Sequence, residues 1–174
     1  GTFFWDFAKP PDVSSQLKGR QLYKTTMTKK KKIAIIGGGI AGLTFARCLT
    51  MKDYEIHIFE KKEQFGEVGA AISIFPNALC VMDELNLLDT ILENSGQLKT
   101  VYLKTDKGAI LSKSEPKSDY PVICIHRAYF HSILLENIDA KLYVNYALKD
   151  LSHIENGQIS LLFDNGEPQV FDAV

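Results

Sequence analysis

The chain has 174 residues, 45% of them hydrophobic and 24% charged, with a formal net charge of -1 at pH 7. That composition fits an ordinary globular protein with one sizeable core, and its near-neutral balance argues against a nucleic-acid binder, which carries a strong basic excess. No apolar run approaches the roughly 20 residues of a membrane-spanning helix. The Gly-Thr-Phe-Phe-Trp-Asp-Phe start lacks the basic and apolar regions of a secretory signal. Cys48, Cys80 and Cys124 are odd in number, far apart and outside any CxxC or zinc spacing. They are expected to be buried free thiols in a reducing cytoplasm, and no metal site is expected.

Residues 1–30 read as an N-terminal extension or tag-like segment, and residues 31–174 as the folded unit. Phe3, Phe4, Trp5 and Phe7 crowd together before Pro10-Pro11, and a polar stretch then runs to Met27 and the lysines from Lys29 to Lys32. From Ile33 the pattern alternates strand and helix. Ile33 to Ile36 is a short continuous apolar run, suited to a strand buried on both faces of a parallel sheet. Leu43 to Leu49 suits a buried helix, and Tyr54 to Phe59 a second strand, with His57 on the face of the sheet. Pro76 fits the first turn of a helix carrying Leu79, Met82 and Leu85. Asp89 is expected to cap a short helix carrying Ile91 and Leu92. Val101 to Leu103 and Ala109 to Leu111, around Asp106-Lys107-Gly108, predict a hairpin. Val122 to Ile125 reads as a strand and Ala128 to Ile138 as a helix. Beyond them, Lys141 to Ala147, Leu151 to Ile154, Ile159 to Phe163 and Val170 to Val174 predict strands, punctuated by Asn156-Gly157 and Asn165-Gly166 turns.

The segment Gly37-Gly38-Gly39-Ile40-Ala41-Gly42 satisfies GxGxxG at Gly37, Gly39 and Gly42. In such a unit the first glycine makes the tight turn out of the strand and the second lets the backbone approach a pyrophosphate. The third allows close packing of the helix on the sheet, and the helix start offers N–H groups to the phosphates. The second strand leads to Glu60, near the interval of about 20 residues expected for a ribose-binding carboxylate. A carboxylate there accepts hydrogen bonds from ribose hydroxyls and repels a 2′-phosphate, so the adenosine of FAD or NAD is favoured over that of NADP.

Three segments together resemble the flavoprotein aromatic hydroxylases, the family of para-hydroxybenzoate and salicylate hydroxylases. They are Ile33 to Gly42 with Phe59-Glu60-Lys61; Phe65 to Ile72, continuing through Pro76-Asn77-Ala78 to Leu85-Asn86-Leu87; and His126-Arg127 through Leu135. The resemblance implies FAD as cofactor, NAD(P)H as electron donor, and transfer of an oxygen atom from O2 to a small organic substrate, aromatic or polycyclic. It implies pyrophosphate contacts from Gly37, Gly39, Ile40, Ala41 and Gly42, ribose contacts from Glu60 with Lys61 beside it, and a ribityl path near Gly69 to Ile72, including Ala71. Arg127 is expected on the flavin side, whereas His126 and His131 are read as ordinary surface or capping residues. No catalytic acid, base or nucleophile is assigned.

Lys61 stands where the family often has arginine, and Ala71 replaces the second glycine of a Gly-Ala-Gly. The family's Gly-Ala-Asp-Gly motif would follow a strand like Val170 to Val174, so the chain is expected to stop before it and to be inactive alone. The expected fold is α/β: a Rossmann-type FAD-binding domain with a mainly parallel sheet, an inserted hairpin and an antiparallel β-meander, incomplete at the C-terminus. Two other readings remain open: an NAD-dependent oxidoreductase, and a non-catalytic dinucleotide-binding half-protein completed by a second chain.

Overall fold

The computed structural model describes residues 30–66, 69–115 and 118–174. Residues 1–29 of the expected extension, and Glu67 and Val68, lie outside the described residues. In chain order the elements are β1 (Lys31–Ile36), α1 (Ile40–Thr50), β2 (Tyr54–Glu60), β3 (Ala71–Ile74), α2 (Pro76–Glu84), α3 (Leu88–Glu93) and β4 (Gly96–Gln97). They continue as β5 (Val101–Lys104), β6 (Ile110–Ser114), β7 (Ile123–His126), α4 (Arg127–Leu135), β8 (Lys141–Val144), β9 (Leu148–His153), β10 (Ile159–Phe163) and β11 (Gln169–Phe171).

Two apolar strands create two cores, because successive side chains of a strand point to opposite faces. β1 and β2 pair in parallel, with Ile33 opposite Ile56 and Ile35 opposite Ile58, and β8 extends the sheet beyond β2. Ile35, Ile56 and Ile58 pack with Leu43, Ala46, Phe130, Ile133 and Leu134 of α1 and α4. Ala34 and Phe59 pack instead with Leu161, Phe163 and Phe171 of the meander β9–β10–β11. Phe59 stacks on Phe163 with centroids 4.4 Å apart and on Tyr143 at 4.7 Å, while Phe171 meets it edge-on. Such aromatic pairs contribute about 0.5–1.5 kcal/mol each beyond their burial. His57 is part of this face as expected, its ring stacked on Tyr143 and its Nδ1 3.1 Å from the Tyr143 hydroxyl.

The parallel sheet holds β1, β2 and β8, with a parallel bridge from Ile33 to Ala173 at the edge of β1. β7 joins a separate antiparallel sheet of order β3-β7-β4. β3 and β4 are 4 and 2 residues long, too short for side-chain periodicity to reveal them, and both exist by pairing with β7. The hairpin β5–β6 and the meander form as expected, with Gly108 at φ 84°, Asn156 at φ 66° and Gly157 at φ 74° in the turns. Their strands have other ends: β6 runs on to Ser114, β9 starts at Leu148 instead of Leu151, and β11 stops at Phe171 instead of Val174.

Several expectations need correction. α3 begins at Leu88 with Leu87 as its N-cap, so Asp89 lies inside the first turn and makes no capping bond. The chain enters α3 directly from a turn in which Asn86 has φ 56° and the Leu87 N–H bonds to the Met82 carbonyl. α4 stops at Leu135, short of Ile138, where Asn137 takes φ 53°. Arg47, in the last turn of α1, donates to the carbonyls of Leu134 at 2.8 Å, Ile133 at 3.1 Å and Glu136. It thereby satisfies carbonyls that a helix end leaves without partners. β8 ends at Val144 because Asn145 turns at φ 59°. The thiols are not buried: Cys80 is exposed, and Cys48 and Cys124 are partly so.

Candidate functional site

The turn from β1 into α1 is built by its glycines, each for a different reason. Gly37 sits at φ 106°, a left-handed region that side chains disfavour, and its N–H bonds to the Phe59 carbonyl at 2.8 Å. A Cβ on Gly42 would lie 2.0 Å from the Gly37 carbonyl oxygen, so only glycine lets the helix cross this close to the turn. Gly39 is the N-cap of α1, and neither a capping side chain nor an acidic residue occupies the first turn. The N–H groups there and the positive end of the helix dipole therefore face outward without a counter-charge from the helix itself.

Glu60 closes the turn from the end of β2. Its Oε2 accepts the Gly38 N–H at 2.9 Å and its Oε1 the Lys62 N–H at 3.0 Å. Partial burial works to raise the Glu60 carboxyl, but the backbone N–H bonds from Lys62 and Gly38 outweigh it, and the group titrates below its ordinary value. It is therefore a carboxylate at neutral pH. A carboxylate has about four lone-pair sites, and backbone N–H groups do not occupy all of them, so capacity remains for a ligand. A cavity of about 340 Å3 opens beside it, lined by Gly37, Glu60, Lys61, Tyr146, Ala147 and Leu148. The last three were not anticipated. They reach the site because the Tyr146 N–H bonds to the Glu60 carbonyl, carrying the start of the meander past the end of β2.

The other expected residues gather on a neighbouring edge. Ala71 of β3 pairs with His126 of β7, and the Arg127 N–H, at the first residue of α4, donates to the Ala70 carbonyl at 2.9 Å. Gly69, Ala71 and Arg127 are thus drawn together and exposed. A Cβ on Gly69 would lie 3.1 Å from the His126 ring. His126 is exposed and precedes α4 without capping it by its side chain. His131 overturns its expectation. It is 3% exposed, and its Nε2 lies 2.7 Å from the Gly38 carbonyl oxygen. It is buried because α4 packs against α1 at the glycine turn, placing this face of α4 inward. An apolar groove of about 560 Å3 starts at Ile40 and Ala41 and runs along β3 and α2 past Ile72, Phe75 and Val81.

Residues 35–81 match the family of NAD(P)-binding Rossmann-like domains. An FAD-dependent monooxygenase of Hypoxylon pulicicidum (nodM) is 29% identical over 84% of this chain and 33% of its own length. Another from Penicillium ochrochloron (ptmM) is 32% identical over 76% of this chain and 33% of its own. The resemblance is to the FAD-dependent monooxygenases. It extends to tertiary structure. The tetrameric form of 2-methyl-3-hydroxypyridine-5-carboxylic acid oxygenase superposes with a TM-score of 0.71 and 25% identity, over 83% of this chain and 38% of that one. The chain spans about a third of the length of the relatives it matches. Among the described residues no helix is long and apolar enough to cross a membrane.

Proposed function

We propose that this chain binds FAD and forms the dinucleotide-binding part of a monooxygenase. The whole protein would use NAD(P)H and O2 to oxygenate a small organic substrate, aromatic or polycyclic. The observation that carries the reading is the pairing of an uncapped helix start with an ionised carboxylate across the same turn. Ile40 and Ala41 offer N–H groups to the pyrophosphate, Gly39 lets the backbone approach it, and Gly37 and Gly42 hold the turn and the helix crossing in place. The free lone pairs of Glu60 hold the adenosine ribose, with Lys61 adding positive charge beside it. The cavity at Tyr146, Ala147 and Leu148 takes the adenine. We assign Gly69, Ala71 and Arg127, drawn together on the neighbouring edge, to the flavin half of the dinucleotide, because a guanidinium suits its phosphate and ribityl oxygens.

When bound, FAD would supply the redox chemistry and the reaction with oxygen. This chain's residues do the holding: they fix the phosphates, select a ribose without a 2′-phosphate, and orient the ring end. The relatives' names and the similarity to a pyridine-carboxylate oxygenase support the reading. The test is titration of FAD into the apoprotein of the full-length parent. Glu60→Ala should weaken binding by about 10- to 150-fold, from loss of charge-assisted hydrogen bonds of about 1.5–3 kcal/mol. Unchanged FAD affinity in the variant would remove the ribose assignment. Binding of NAD in place of FAD would favour a dehydrogenase.

A further inference from the structure

Gly38, one of the three positions that the GxGxxG pattern leaves free, is held from three sides. Its N–H is held by Glu60 at 2.9 Å, and its carbonyl oxygen lies 2.7 Å from His131 Nε2. A Cβ on Gly38 would lie 2.2 Å from the Phe65 ring, so the ring rests on its α-carbon. Both ends of one residue's peptide groups are therefore fixed by side chains from two other elements, one at the end of β2 and one inside α4. A carbonyl oxygen only accepts, so His131 must carry its proton on Nε2 and donate it. His131 lies one helical turn beyond Arg127, on the same α4 whose first residue is hydrogen-bonded to Ala70.

We propose that His131 is a positioning residue for the cofactor site, pinning the Gly38 carbonyl inward so that the N–H groups of Gly39 to Ala41 stay turned out toward the pyrophosphate. This rests on the dinucleotide reading above. The same bond ties the turn to α4, so the phosphate cradle and the Arg127 edge are held by one helix. Without the donor, the buried Gly38 carbonyl would lose its partner, and the peptide would be free to rotate toward another one. Rotation of that peptide re-aims the next N–H, which belongs to Gly39.

The test uses the full chain with ADP as probe, in the wild type, His131→Leu and His131→Gln. Leucine keeps bulk and removes the donor, whereas the glutamine amide nitrogen reaches the position of Nε2. His131→Leu is expected to bind ADP about tenfold more weakly, with shifted amide resonances for Gly38 to Gly42. His131→Gln should restore both. In the wild type, 15N spectra should show His131 carrying a proton on Nε2 that exchanges slowly. If His131→Leu fails to fold, the wild-type imidazole spectrum together with the affinity and amide shifts of His131→Gln decides the matter. Wild-type affinity and unmoved amides in a folded His131→Leu would overturn the proposal, as would a ring with no proton on Nε2. If the wild type binds no ADP, the dinucleotide reading fails, while the amide shifts still report whether His131 sets the turn.

Discussion

Replacing Gly42 by alanine sets two physical effects against each other, and the structure says which wins. Gly42 is the third residue of α1. Helix propensity alone predicts that alanine stabilises the helix by about 1 kcal/mol over glycine. The new Cβ, however, would lie 2.0 Å from the Gly37 carbonyl oxygen and 3.2 Å from Ile35 Cγ2, against ordinary contact at 3.4–4 Å. The first obstacle is backbone and cannot rotate away, so α1 would have to retreat by more than an ångström from the end of β1. That retreat loosens Leu43 and Ala46, the fully buried residues of α1, from Ile35 and Ile58. Overpacking of this kind costs about 1–3 kcal/mol, and displacing a backbone crossing belongs at the upper end. A net loss of about 2 kcal/mol remains after the propensity gain. Urea unfolding of the wild type and Gly42→Ala measures it, with Gly66→Ala as control because a Cβ there meets nothing within 4 Å. The midpoint of Gly42→Ala should fall with an unchanged slope. A midpoint equal to or above that of the wild type would refute the packing argument and leave propensity in charge.

Arg47→Ala should destabilise the chain by about 2 kcal/mol, because it leaves the carbonyls at the end of α4 without their charged donor; Arg47→Lys should recover only part of that in thermal melts, having lost the planar fork. Stability should also fall on acidification for two reasons of the same sign. The Lys141 ammonium, and then His57, hydrogen-bond Glu55 and pull its carboxyl from 4.5 down to about 2. Its contribution is therefore complete above about pH 4.5 and lost as pH falls toward about 2. Burial lowers the His57 imidazole below 6.5, so its contribution too is complete above about pH 6.5 and declines below it. Melting temperatures of the wild type and Glu55→Gln should differ at neutral pH and converge near pH 2; curves that stay parallel down to that pH would rule out the Glu55 contribution.

The strand–turn–helix–strand unit was legible in the sequence because everything that makes it is local. A continuous apolar run, glycines at set spacing and an acid at the end of the next strand constrain one another through a single βαβ connection. Gly37 and Gly42 accordingly do what their positions in the motif require. The β5–β6 hairpin turn and the first turn of the meander were equally readable, since Gly108, Asn156 and Gly157 carry the positive φ that their turns demand. The likeness to flavoprotein hydroxylases rested on motif segments of the same local kind.

What escaped the sequence is what depends on faces meeting across distance. The 93-residue separation between Gly38 and His131 has no periodicity to betray it. A histidine in a helix reads as surface until α4 is packed on α1 and its inward face is known. Tyr146, Ala147 and Leu148 enter the cavity beside Glu60 only because a hydrogen bond to the Glu60 backbone steers the chain there after β8 ends. β3 exists only because β7 pairs with it, and that pairing brings Ala70 to the backbone of Arg127. Spacing along a chain is set by covalent geometry and short-range sterics, so the sequence alone places the glycines and Glu60. Which side chains close around them is decided by burial, which requires the other elements to be in place.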